Sequence, residues 1–106
     1  WEIKSKEGEA ITLGNIGTIY EDMGRPDEAL KYISNALQYW RQIDNIKEEA
    51  KYLKIMGDIY LSKEKIEDAV YLYRDAIDIY EELKDNDKVR ELKEKVNSLI
   101  SEESIA

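Results

Sequence analysis

The residues able to do chemistry are few and of limited kinds. His and Cys are both absent from the 106 residues. That removes the commonest general base, the thiolate nucleophile, sulfur-ligated metal and any disulfide. Asp75, Asp78 and Glu82 fall on one stripe of a helix, but no calcium-loop spacing accompanies them, and they read as a solvated face. Asp85-Asn86-Asp87 is turn and N-cap chemistry. No Gly-rich phosphate loop and no nucleophile–base constellation is present. An enzyme is therefore disfavoured, and no cofactor or metal is expected. What remains is recognition chemistry. The Asn15 amide can both donate and accept. Lys51 and Lys54 suit a carboxylate or an acidic peptide, unless they are only a solvated rim. Eight tyrosines stand in a chain without Phe.

Those side chains must be positioned by the rest of the chain, which is short enough for one compact domain or a short array. Twenty-four acidic residues against 16 basic give a net charge of -8, the wrong sign for nucleic acid or an anionic membrane surface. No apolar run approaches the roughly 20 residues that span a bilayer. No secretory signal and no N-x-[ST] site occurs, so the composition reads as soluble and cytoplasmic. One Pro, five Gly and 42% apolar residues point to a folded, helical chain.

Sliding the chain against itself gives one clear register, a shift of 40 residues without gaps. Ala10 falls on Ala50, Leu13 on Leu53, Gly17 on Gly57, Tyr20 on Tyr60, Ala29 on Ala69 and Ala36 on Ala76. A period of that size means stacked supersecondary units. Within each unit the apolar spacing is helical, as in Leu13, Ile16, Gly17 and Tyr20. Gly24 suits the left-handed residue past a helix end, and Pro26 the first helical position. Asp27 and Glu28 suit a first turn, where the helix dipole favours anions. The rhythm predicts helices over 8–23, 26–44, 47–62, 66–84 and 87–103. Each unit is then a pair of antiparallel helices. The recurring small residues mark close approach, with Tyr20 and Tyr60 as the natural large partners. Tyr20, Tyr60, Tyr73 and Tyr80 are expected in the core, and Tyr32, Tyr39 and Tyr71 half-buried nearer the convex side.

These residues resemble the tetratricopeptide repeat. Its pattern runs an aromatic or large residue, Leu-Gly, Tyr, Ala, an aromatic and then Pro, and the first unit gives Leu13, Ile16-Gly17, Tyr20, Ala29, Ile33 and Ala36. The second gives Leu53, Met56-Gly57, Tyr60, Ala69, Tyr73 and Ala76. Gly24 matches the turn glycine and Glu64 departs from it. Arg41 and Glu81 stand where the terminal Pro belongs, and the longer second helices are similar to the subclass with repeats of about 40 residues. The resemblance implies an all-α, right-handed α-solenoid: repeat 1 over 8–44, repeat 2 over 47–84 and a capping helix over 87–103. The register also sets Ile3 on Ile43, so residues 1–6 read as the tail of a preceding unit's second helix. With Trp1 in place of Met, this suggests a piece of a longer array.

The resemblance further implies a concave groove, lined by the first helices of successive units, that takes an extended peptide or a helix of another protein. Counting round the helix from the buried residues places Ile11, Gly14, Asn15, Thr18 and Asp22 there. Lys51, Lys54, Ile55, Asp58 and Ser62 follow from the second unit, with Glu91, Lys95 and Ser98 from the cap. In the long-repeat subclass an Asn at the position of Asn15 holds the ligand backbone; a solvated Asn is the alternative, since Ile55 occupies that position in the second unit. The family's clamp for a C-terminal carboxylate needs Lys and Asn where Gly14 and Thr18 stand, so it is excluded. The expected function is a protein-interaction scaffold or adaptor segment. The alternative is a structural module that self-associates through the exposed face of the first repeat, or stacks on missing upstream repeats.

Overall fold

A computed structural model of the protein describes the backbone of residues 2–105 and the side chains of residues 4–101. Five helices follow one another: α1 (Glu2–Asp22), α2 (Pro26–Gln42), α3 (Ile46–Ser62), α4 (Ile66–Glu82) and α5 (Asn86–Ile105). No strand occurs among the described residues. Each helix packs on the next in chain order. Connections of three residues leave no alternative to antiparallel neighbours. The result is one layer of helices with extents of 51 × 34 × 16 Å.

All four turns are built alike. Gly24, Asp44, Glu64 and Lys84 take positive φ of 73°, 56°, 62° and 60°. The next N–H in each case donates back to the carbonyl of Tyr20, Trp40, Tyr60 or Tyr80 at 2.9–3.0 Å. This is the left-handed helix end that satisfies the last carbonyls. It recurs every 20 residues, half the period visible in the sequence. Starts differ between helices. Asn45 and Asp85 accept from the N–H groups of Glu48 and Lys88 as side-chain caps, whereas α2 opens on Pro26 without one. The expected N-cap role of the Asp85 segment is thus realised by Asp85 itself.

The core is a string of buried apolar side chains running the length of the layer. It includes Ile33, Leu37 and Trp40 from α2, Leu53 and Ile59 from α3, Tyr73, Ile77 and Tyr80 from α4, and Leu92, Val96 and Leu99 from α5. Ion pairs such as Arg41–Glu49 and Lys93–Glu81 lace its rim, each worth about 1 kcal/mol or less.

Four expectations are corrected. First, within the expected tail of residues 1–6, residues 2–6 do not belong to a separate helix: α1 runs unbroken from Glu2 to Asp22. Gly8 is the only weak point there, and a lone helix-interior Gly costs only about 1 kcal/mol. Trp1 and the side chain of Ile3 lie outside the described residues. Second, the partners of the small residues are not Tyr20 and Tyr60. Ile33 fills the space over Gly17, and Tyr73 the space over Gly57. Tyr20 is half-buried and stacks on Tyr32, with ring centroids 5.4 Å apart, and Tyr60 is also half-buried. Third, Tyr71 is not half-buried but 68% exposed. Fourth, Gly14 does not open onto a groove. It is buried under the Tyr52 hydroxyl, which comes across from α3.

Candidate functional site

The first helices of the units share one side of the layer, and three interactions between them define it. Tyr52 of α3 lies on Gly14 of α1. Glu21 of α1 feels the charges of Asp58 and Lys54 on α3. Lys95 of α5 reaches Asp58 of α3 at 3.4 Å. The expected site residues distribute unevenly over this side. On α1, Ile11 is 47% exposed, and Asn15, Thr18 and Asp22 are exposed as well. The Thr18 hydroxyl donates to the Gly14 carbonyl at 3.0 Å, a local bond that holds its rotamer. On α3, Lys51 is exposed and Ile55 half-buried. The Ser62 hydroxyl donates to the Ile59 carbonyl at 2.6 Å. Glu91 and Ser98 of α5 are exposed.

Asp58 is the hub that the structure adds. Its carboxylate accepts from the hydroxyl of Tyr73, from Lys54 at 3.0 Å and from Lys95. Burial pushes its pKa up, but the hydrogen bonds from Tyr73 and Lys54 and the two ammonium charges outweigh burial and hold it below the usual Asp range. Burial first, and then the Asp58 carboxylate, push the Tyr73 hydroxyl up, so it stays protonated and donates. Lys95 also sits over the Tyr73 ring, 5.4 Å from its centroid. Asp58 therefore ties α3, α4 and α5 together. Lys54, placed in the sequence as a grip for an acidic ligand, already has a carboxylate partner in its own chain.

Glu21 was missed by the sequence reading. It continues the inward stripe of Ala10, Gly14 and Gly17, and a carboxylate in that rhythm was the available signal. Burial raises its pKa, and Asp58 and Asp22 raise it further against the opposing Lys54. A raised folded pKa means that the folded chain binds the proton more tightly than the unfolded one. Ionised Glu21 thus lowers stability at neutral pH, and the loss disappears as the group protonates. Glu21→Gln is expected to raise the denaturation midpoint at pH 7, with the advantage gone below the ordinary Glu value of 4.5. An unchanged midpoint at pH 7 would refute this.

No group of three or more potential ligands is placed to hold a metal among the described residues. No helix there is long and apolar enough to cross a membrane. A stack of antiparallel helix pairs carrying polar side chains along one side is the architecture of a helical-repeat protein. The family model of the tetratricopeptide repeat matches residues 8–82, and the chain belongs to that family. Such repeats generally mediate protein–protein interaction. The matched stretch takes in α1 from Gly8 and all of α2, α3 and α4, and ends before α5. Comparison with curated proteins returned no match.

Proposed function

We propose that the chain holds a peptide or a helix of another protein against the side shared by α1, α3 and α5, as a cytoplasmic scaffold or adaptor segment. The supporting observation is a set of exposed side chains on the first helices: Ile11, Asn15 and Asp22 of α1, and Lys51 of α3, the counterpart of Ile11 one unit on. It combines an apolar contact, an amide that can pair with a ligand backbone, and charges of both signs. Lys54 is paired with Asp58, and Asp58 is held in addition by Tyr73 and Lys95.

The test is a titration of a peptide selected from a random displayed library on the immobilised chain. Asn15→Ala is expected to weaken binding by roughly 1–3 kcal/mol, because buried ligand groups lose a donor and an acceptor. Lys51→Glu should slow association with an acidic peptide and speed it with a basic one. Tyr39→Ala and Tyr71→Ala, on the second helices, should change little. If the tyrosine changes abolish binding and the other two do nothing, the groove reading fails.

Self-association through α1 is the second reading. It is favoured by Ile19, 58% exposed, whose counterparts one and two units on, Ile59 and Leu99, are 0% and 9% exposed.

A further inference from the structure

The side of α1 turned away from α3 is an unpartnered face. Ile19 and Met23, each 58% exposed, form its large half, and half-buried Ile16 adjoins them. The other half, toward the N-terminus, is small: Ser5, Gly8 and Thr12, all exposed. Thr12 is telling. Its counterparts at the interior junctions are the buried side chains Tyr52 and Leu92, so α1 lacks the large residue with which α3 and α5 fill their junctions with the preceding unit. Gly8 adds to this. Gly14, Gly17 and Gly57 each receive a neighbouring side chain and Gly24 has positive φ, but nothing lies within 4 Å of where a Cβ of Gly8 would stand. A helix-interior glycine costs stability relative to alanine, and nothing within this chain explains that one.

We infer that this face pairs with the same face of a second copy, α1 against α1, antiparallel about a two-fold axis near residue 14. This deepens the self-association reading by giving it a geometry. Antiparallel pairing sets small on large: Ser5 against Met23, Gly8 against Ile19, Thr12 against Ile16. Parallel pairing would set large on large and leave the small half empty. Charge agrees. Exposed Lys4 and Asp22 are 18 residues apart, five turns at about 3.6 residues each, so they lie on the same flank of the helix. Same-flank residues meet in an antiparallel pair, which gives two Lys4–Asp22 contacts per dimer. Lys4 lies in the extra turn by which α1, starting at Glu2, exceeds the register of α3, which starts at Ile46. Head-to-tail stacking is disfavoured, because α5 turns exposed Arg90, Lys93 and Asn97 outward where the earlier units have Ala, Leu and Gly.

The test is sedimentation equilibrium of the whole chain from about 1 µM to about 1 mM, the range expected for an interface smaller than the standard size. A monomer–dimer equilibrium is expected. Lys4→Glu and Asp22→Lys should each weaken it at least about tenfold, and the double variant should restore it. Ile19→Lys should leave a monomer whose helical circular dichroism is unchanged, since the position is exposed in the single copy. A monomer throughout overturns both the pairing and the self-association reading. A dimer indifferent to the charge reversals, or masses growing beyond the dimer, overturns this pairing alone.

Discussion

Gly57→Leu is expected to lower the stability of the chain by about 3 kcal/mol or more, the upper end of the usual overpacking range. A Cβ at that position would stand 2.6 Å from Cε1 and 2.9 Å from Cδ1 of Tyr73. The ring has nowhere to go: it is 0% exposed, its hydroxyl is held by Asp58, and Lys95 lies over its face. Moving it would leave a buried hydroxyl without its acceptor and disturb the tie between α3, α4 and α5. Gly17 is the internal control. A Cβ there meets the Cδ1 and Cγ1 atoms of Ile33, both at 2.7 Å, in an aliphatic chain with no polar anchor, so part of the clash can relax through its rotamer. Gly57→Ala should therefore cost more than Gly17→Ala. Denaturant titration followed by far-ultraviolet circular dichroism measures all three. An unchanged midpoint for Gly57→Leu would mean that the α3–α4 crossing is elsewhere.

The same comparison shows what could be read from residues alone. The 40-residue shift aligned Gly17 with Gly57 and Ile33 with Tyr73, because each pair serves the crossing of the two helices of its own unit. Which large residue meets which glycine was not legible, because periodicity describes one helix at a time and the crossing angle belongs to two. Tyr20 and Tyr60 follow their glycines at i+3 in the same helix and so looked like partners, whereas the atoms in the gap come from α2 and α4. Gly14 was misplaced for a related reason. Its angular position borders the open side, and only the length of Tyr52, reaching across from the next unit, closes it. Asp58 was named, yet its role as a hub depended on Tyr73 and Lys95, 15 and 37 residues away in the chain. Local structure was more accessible. Gly24 and Pro26 announced the first turn through their backbone requirements, but the later three turns take the same shape with residues that do not announce it.

Those three turns carry the largest expected gain. Replacing Asp44, Glu64 and Lys84 together with Gly should stabilise the chain by up to about 3 kcal/mol, near 1 kcal/mol for each. Their φ values of 56°, 62° and 60° lie where an L side chain crowds its own backbone, and Gly24 shows at 73° what the position prefers. Nothing opposing is lost in the folded state. The cap bonds at each turn run backbone to backbone, all three side chains are exposed, and none forms an ion pair among the described residues. What glycine does cost is the entropy of a freer unfolded chain, which keeps the net gain below the full strain of about 1–2 kcal/mol per residue. The turns are separate in sequence and share no side-chain partners, so the increments should add. Gly24→Ala is the reverse experiment and should destabilise by about 1 kcal/mol. If the three glycine variants lower the midpoint instead, unfolded-state entropy outweighs strain. Because one backbone shape recurs at all four turns between helices, it sets the angle between successive helices. The stabilised triple variant should then keep the surface formed by α1, α3 and α5 and bind the same selected peptide with unchanged affinity.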